Sequence, residues 1–394
     1  MRSHALVFVS IILAILIAGC QHSTRSNTAE PVAKQPRQPG YVAEQRYATT
    51  SMHEAWTLAG EPVDMTLVRP SGSDLFPLVI YLPGLGEPSS AGAAWRHAWA
   101  QAGYAVVSLQ SVANGETLWS SAQARTGDFP DLAREHFSRR ALAKRLAVLR
   151  SLFEELNHRH DTGALRGVDV SRIALAGFDL GAQTVMAAAG ETGYDVEPFA
   201  LPGAVKCVVV LSPYADFTGA GFEQRFSTIH VSVLSVTSTD DTDPYGLVSA
   251  AAIRRAPFEH MPPGQKYLLS LVNAPHALIA GKETPSANNS VLAQEDSPRG
   301  KSGDASNQGS GTSRRRGDGG SQRGRRGGGN ESSGMKSSSS GPVSSVAWAA
   351  QLARVQSVTT AYLDTNVKND RVAGEWLTRD ARRWLGDDAD LIAK

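Results

Sequence analysis

The chain has 394 residues, 41% of them hydrophobic, which suits one large folded domain with extra segments and excludes a disordered or simple repeat protein. Its 39 Lys and Arg stand against 38 Asp and Glu. No global charge therefore selects nucleic acid or an acidic polymer as partner.

The N-terminus carries Arg2 and His4, an apolar run from Ala5 to Ala18, then Gly19-Cys20 and a polar stretch. The run is short for a membrane span, the alternative reading. Leu16-Ile17-Ala18-Gly19-Cys20 resembles the lipobox of a bacterial lipoprotein signal. The resemblance implies removal of residues 1–19, acylation of Cys20, and attachment to a membrane through lipid. Gln21, where retention signals carry Asp, implies an outer-membrane lipoprotein facing the periplasm. Residues 20–47, with Pro31, Pro36 and Pro39 among polar side chains, are expected to be a flexible tether.

From residue 48 to 280 the pattern is that of an α/β domain. Glu54 to Leu58 and Val63 to Val68 alternate around Ala59-Gly60-Glu61-Pro62, which predicts an antiparallel hairpin at a sheet edge. Apolar runs then recur at helix-sized intervals: Leu78 to Leu82, Tyr104 to Leu109, Arg172 to Gly177, Val205 to Leu211, His230 to Val236 and Tyr267 to Val272. Such runs, separated by helical segments, predict a mostly parallel, doubly wound sheet. Leu142, Leu146, Leu149, Phe153 and Leu156 repeat at three and four residues, so 139–157 reads as an amphipathic helix. Cys207 lies within the apolar VKCVVVL run and reads as packing. Residues 281–345 collapse into Ser, Gly, Arg and Asn and are expected to be a disordered insertion. Its Arg-Gly runs can bind polyanions, but a solvated insertion is the preferred reading, and no nucleic-acid partner is expected. Residues 346–394 regain helical spacing and are expected to close the domain with helices.

The pentapeptide Gly177-Phe178-Asp179-Leu180-Gly181 lies between a predicted strand and a predicted helix. It has the G-x-S-x-G pattern of a nucleophile elbow with aspartate at the centre. Such an elbow needs an acid, a base and oxyanion donors in a fixed chain order. The loop Thr237-Ser238-Thr239-Asp240-Asp241-Thr242-Asp243-Pro244 supplies the acid, with Asp241 preferred and Asp240 and Asp243 left open. Lacking a glycine and a distal glutamate, it does not fit a calcium loop. Asn273-Ala274-Pro275-His276 places His276 after the last of these strands as the base. Pro83-Gly84-Leu85-Gly86 offers the Leu85 N–H as an oxyanion donor beside that of Leu180. The Gly84-x-Gly86 pair lacks the third glycine of a dinucleotide loop. Neither cofactor nor metal is expected.

These features, from about Ser51 to Ala280 plus the C-terminal helix, resemble the α/β-hydrolase superfamily. LPGLG at 82–86, the elbow, the acidic turn and His276 are similar to its dienelactone-hydrolase and platelet-activating-factor-acetylhydrolase-like branch. The resemblance implies a membrane-anchored hydrolase acting on a small molecule, an ester or lactone by family, without a large cap domain. Two positions depart from the branch: Pro83 stands where histidine is frequent, and Asp179 where serine or cysteine is usual. A carboxylate is poorly suited to attack on an ordinary ester, since the path runs through a mixed anhydride. It suits displacement at saturated carbon, as in carbon–halogen bonds or epoxides, which haloalkane dehalogenases and epoxide hydrolases open with such an aspartate. Those enzymes carry a helical cap after the strand that corresponds to 205–211, where this chain has only Ser212 to Ile229. Substrate contacts are expected from residues 110–130, including Trp119. The competing reading is a non-catalytic binding or scaffolding lipoprotein on the same fold.

Overall fold

A computed structural model describes residues 40–159, 162–217, 220–283 and 344–394. Cys20, most of the tether and most of the Arg-rich insertion lie outside the described residues. The described part is an α/β structure around one nine-stranded, mostly parallel mixed sheet.

The strands are β1 (Thr49–Leu58), β2 (Glu61–Pro70), β3 (Phe76–Leu82), β4 (Ala105–Ser111), β5 (Val168–Phe178), β6 (Val205–Leu211), β7 (Ser232–Ser238), β8 (Lys266–Leu271) and β9 (Ala389–Ala393). Their order across the sheet is β1-β2-β4-β3-β5-β6-β7-β8-β9. From β4 to β8 every pairing is parallel. β1, β2 and β9 add antiparallel edges. The β1–β2 hairpin turns on Ala59 and Gly60 alone, both at positive φ (50° and 77°), as a tight two-residue hairpin requires.

All seven residues of β3 are buried because helices cover both faces. Val79, Tyr81, Ala174, Ala176, Cys207 and Val209 point to one face, packed by Trp95 and Trp99 of helix Ala93–Gln101 and by Leu352, Val355 and Val358 of helix Ser345–Val367. Their neighbours Leu78, Ile80, Leu175, Val208 and Val210 point to the other. There they meet Leu142, Leu146, Leu149 and Phe153 of helix Arg139–Arg159 and Val185 and Met186 of helix Leu180–Ala188. The two-residue period of the strands and the 3.6-residue period of the helices thus meet at two cores.

The eight expected strands are all present, but the C-terminus differs from the expectation of helices alone. Residues 389–393 form β9, antiparallel to β8 and paired from Leu271↔Ala389 to Tyr267↔Ala393. The segment is too short to announce itself by periodicity, and the exposed edge of β8 recruits it. Residues 40–47, expected within the tether, pack on the body. The Tyr41 hydroxyl donates to Asp364 at 2.7 Å, and the Tyr47 ring stacks edge-on to Phe76 at 5.2 Å. Residues 281–283, expected within the insertion, also pack: Trp348 Nε1 donates to the Lys282 carbonyl at 2.9 Å. No helix among the described residues is long and apolar enough to cross a membrane.

Strand order reverses at β3: the chain crosses first to β4 on one side and then back to β5 on the other. In open α/β sheets, ligands bind in the crevice beyond the carboxyl ends of the strands at such a point. The loops that leave β3 and β5 are those of Leu85 and Asp179.

Candidate active site

Asp179 follows β5 directly at φ 51° and ψ −107°, and helix Leu180–Ala188 begins at the next residue. The flanking glycines are steric requirements. A Cβ on Gly177 would sit 2.4 Å from the Gly181 backbone, and one on Gly181 would sit 1.9 Å from the Leu82 carbonyl oxygen. Gly181→Ala is expected to destabilise the fold by about 4 kcal/mol or more, because backbone cannot yield as a side chain does. A denaturation midpoint equal to wild type would contradict this close approach of the elbow to β3.

Three non-glycine residues at strand ends share left-handed backbone: Asp179 after β5, Ser212 after β6 and Asn273 after β8, with φ of 51°, 51° and 53°. The Asp179 N–H bonds to Leu211 O at 3.1 Å, and the Ser212 N–H to Val236 O at 2.8 Å. Asp179 and Ser212 are thus each held by the next strand, and strain of this kind collects where side chains must be aimed.

Asp241, fully buried beyond β7, meets His276 Nδ1 through Oδ1 at 2.7 Å. The Ser212 hydroxyl donates to Oδ1 at 2.5 Å, and the Thr237 hydroxyl donates to Oδ2 at 2.8 Å. Arg254, also fully buried, lies 3.4 Å from Oδ1 and donates to the Asp241 carbonyl at 3.0 Å. Burial works against the Asp241 charge, but Arg254, His276 and Ser212 outweigh it and hold the carboxyl below its usual range. An ionised Asp241 fixes the His276 ring by Nδ1 and leaves Nε2 for proton transfer. The other two aspartates of the turn act differently. The Asp240 N–H bonds to Ser238 Oγ at 3.0 Å, and the Asp243 carboxylate accepts the N–H groups of Tyr245 and Val248 at 3.0 and 2.7 Å, bracing the loop.

His276 opens the short helix His276–Ile279, with its ring 4.8 Å from that of Phe178, the residue before Asp179. Asp179 is 3% exposed, with the Leu85 N–H among the groups that favour its charged form. Burial raises its carboxyl above the ordinary range and Asp243 adds to the rise, while His276, Arg254 and the Leu85 N–H pull against it. Asp179, Asp241, His276 and Leu85 are therefore brought together, and Leu180 starts the elbow helix beside them. Leu85 and Leu180 pack with Leu118, Leu132, Phe137 and Tyr214 in an apolar layer above the strand ends.

The loop after β3 is braced from two sides. Gln110 Nε2 donates to the carbonyls of Gly84 and Glu87 at 2.9 and 3.0 Å. Trp119 Nε1 donates to Gly86 O at 2.9 Å, so the expected substrate-contact loop touches the expected oxyanion loop directly. A further carboxyl, Glu87, folds back on this loop and accepts the Gly84 N–H at 3.0 Å. Burial pushes Glu87 up to about 7 and Asp179 adds to the rise, against the pull of the Gly84 N–H, Lys282 and His276. Sequence reasoning missed Glu87, Ser212, Thr237 and Arg254. The one local signal for Glu87 is a carboxylate two residues beyond Leu85.

A small cavity of about 30 Å³ behind the elbow is lined by Pro83, Gln110, Leu180 and Arg145. Larger clefts, such as one of about 360 Å³ beside Tyr41 and His97, lie away from Asp179. Among the described residues no group of three or more His, Cys, Asp or Glu could hold a metal ion. No family model matches the chain, and no curated protein matches it by sequence.

Proposed function

We propose that this chain is an α/β-hydrolase-type enzyme, held at a membrane by acyl chains on Cys20, that opens a small electrophile through a covalent aspartyl ester. Asp179 attacks a saturated carbon and expels the leaving group. His276, oriented by Asp241, then takes a proton from water as that water attacks the Asp179 carboxyl carbon. Collapse of the tetrahedral intermediate releases an alcohol.

What supports the reading is Asp179 itself, at the strained turn after β5 and 3% exposed, with the Leu85 N–H favouring its charged form. In acyl transfer from an ester, the oxyanion grows on the substrate, and the donors should face a vacant position beside the nucleophile. In hydrolysis of an alkyl aspartate, the oxyanion grows on the aspartate itself. A donor that favours negative charge on Asp179 suits the second case, in which the charge develops on that same carboxyl group. The strained elbow and the 2.7 Å contact between buried Asp241 and partly exposed His276 support the same reading. The non-catalytic alternative draws on the 3% exposure of Asp179 beneath an apolar layer.

The test is a single turnover of a panel of epoxides, alkyl halides, esters and lactones in oxygen-18 water, followed by mass analysis of the Asp179 peptide. The expected result is one heavy oxygen in Asp179 and none in the first-turnover product. Turnover that labels only the product would replace the aspartyl ester with direct attack by water. No turnover of any panel member would favour the non-catalytic reading.

A further inference from the structure

Resting on the aspartyl-ester reading, we propose that Glu87 is the acid that protonates the departing oxygen, and that the substrate is therefore an epoxide or similar strained cyclic ether rather than an alkyl halide. Two neighbouring backbone N–H groups of one turn act on two different carboxyls: the Gly84 N–H donates to Glu87 Oε2 at 3.0 Å, and the Leu85 N–H favours the charged form of Asp179. The turn is closed by the Glu87 N–H on Gly84 O at 3.3 Å and clamped by Gln110, and the Glu87 carboxyl cannot swing away without losing the Gly84 N–H. A Cβ placed on Gly84 would lie 2.8 Å from the Phe178 ring and 3.2 Å from Glu87 Oε2. Glu87 and Gly84 thus lie against the ring of Phe178, the residue that precedes Asp179. The Gly84 bond occupies Oε2 and leaves Oε1 to carry a proton.

A halide leaves as a stable anion and needs no proton, whereas an alkoxide leaving group does. Around Asp179 the chain supplies oxygen acids. Tyr81 and Tyr245 are also close by, but burial holds the Tyr81 proton well above the ordinary range, and the Tyr245 hydroxyl already donates to Leu85 O at 3.2 Å. Burial, with Asp179, Glu87 and Asp243 nearby, also holds the Tyr245 proton well above the ordinary range. Glu87, at about 7, is the group that can give up a proton near neutrality.

The steps balance. An oxygen of ionised Asp179 forms a bond to a ring carbon, the carbon–oxygen bond breaks, and its electron pair takes the proton from Glu87 Oε1. This leaves an alkyl-Asp179 ester bearing a hydroxyl, and a Glu87 carboxylate. Water gives one proton to His276 and adds to the ester carbon. Collapse expels the second alkoxide, which takes that proton back from His276. Asp179 emerges as a neutral acid and passes its proton to Glu87, restoring both groups. The sum is one cyclic ether and one water converted to one diol.

The test measures the first step alone, as alkyl adduct formed on the Asp179 peptide in the full-length His276→Ala chain, with 1,2-epoxybutane and 1-bromobutane as matched probes. Glu87→Gln, which keeps a carbonyl oxygen for the Gly84 N–H, is expected to slow the epoxide by about 10²- to 10⁴-fold and to leave the bromide within a few-fold. In the wild-type chain, epoxide opening should decline as pH rises through about 7, the value set for Glu87 by its surroundings. The groups facing it are Asp179, His276, Lys282, Tyr81 and Tyr245. That decline should be absent with the bromide and absent in Glu87→Gln. Equal slowing of both probes would reduce Glu87 to a brace for the loop, and an unchanged epoxide rate would remove it as the acid; either outcome overturns this inference alone. No adduct from either probe would overturn the aspartyl-ester reading and this inference with it.

Discussion

Replacing His276 with alanine is expected to leave a protein that reacts once and stops. On the proposed mechanism, attack by Asp179 at carbon needs no base, so the first bond still forms. Hydrolysis of the ester needs a proton taken from water, and the loss of that assistance should lower turnover by about 10²- to 10⁴-fold. The alkyl ester should therefore accumulate to nearly one per chain, read as a product burst of one equivalent and as a mass increment on the Asp179 peptide. The effect should be near the top of its range because the base is strongly oriented. Asp241 is fully buried, ionised by Arg254 and bonded by both Ser212 and Thr237, and it meets Nδ1 at 2.7 Å with the Ser212 hydroxyl 3.0 Å from the same nitrogen, so two groups fix the ring. Asp241→Asn should push turnover in the same direction with a smaller burst, since the ring loses its anchor but keeps a proton-accepting nitrogen. Steady turnover of His276→Ala at the wild-type rate would exclude His276 as the group that activates water.

Much of this site is legible in the order of the amino acids, and the residues that are not share a physical reason. β3 and β5 are buried on both faces at their core, so their apolar runs are continuous and visible in the sequence. Gly177 and Gly181 are legible because their requirement is local: each occupies space that another backbone already fills. Asp241, by contrast, is one of three carboxylates within a short acidic turn. Only the side-chain directions, Asp243 turned back onto the N–H groups of its own loop and Asp241 inward to Ser212 and Thr237, separate them. Arg254 carries no local mark. It reaches the carbonyls of Ser212 and Pro213 at 3.1 Å each from a distant part of the chain, a contact that spacing cannot announce. β9 escapes notice for a related reason: its five residues are a weak strand on their own and become one because β8 offers an unpaired edge.

The second large effect lies below the site, where the same chain geometry is maintained by a buried charge. Arg225 is 2% exposed and touches Glu191 at 2.7 Å, Asp216 at 2.8 Å and the Tyr194 hydroxyl at 2.9 Å. Burial works against its charge, but Glu191, Tyr194 and Asp216 outweigh that and hold the guanidinium protonated well above the ordinary range. Glu191 lies just beyond the helix that follows Asp179, and Asp216 follows the end of β6 that bears Ser212, so the cluster joins the segments beyond Asp179 and beyond β6. Glu191→Ala is expected to cost about 3–5 kcal/mol, because it leaves Arg225 charged in a dry site with one carboxylate fewer. The loss should appear as a lower urea midpoint at an unchanged slope. The double replacement Glu191→Leu with Arg225→Met should recover most of it, since apolar side chains of similar volume need no desolvation. Asp216 would keep the Tyr214 hydroxyl at 2.8 Å and, at 15% side-chain exposure, some contact with water. A single variant costing under about 1 kcal/mol would mean that water reaches Arg225 and that packing, rather than the ion cluster, joins the elbow to the β6 loop.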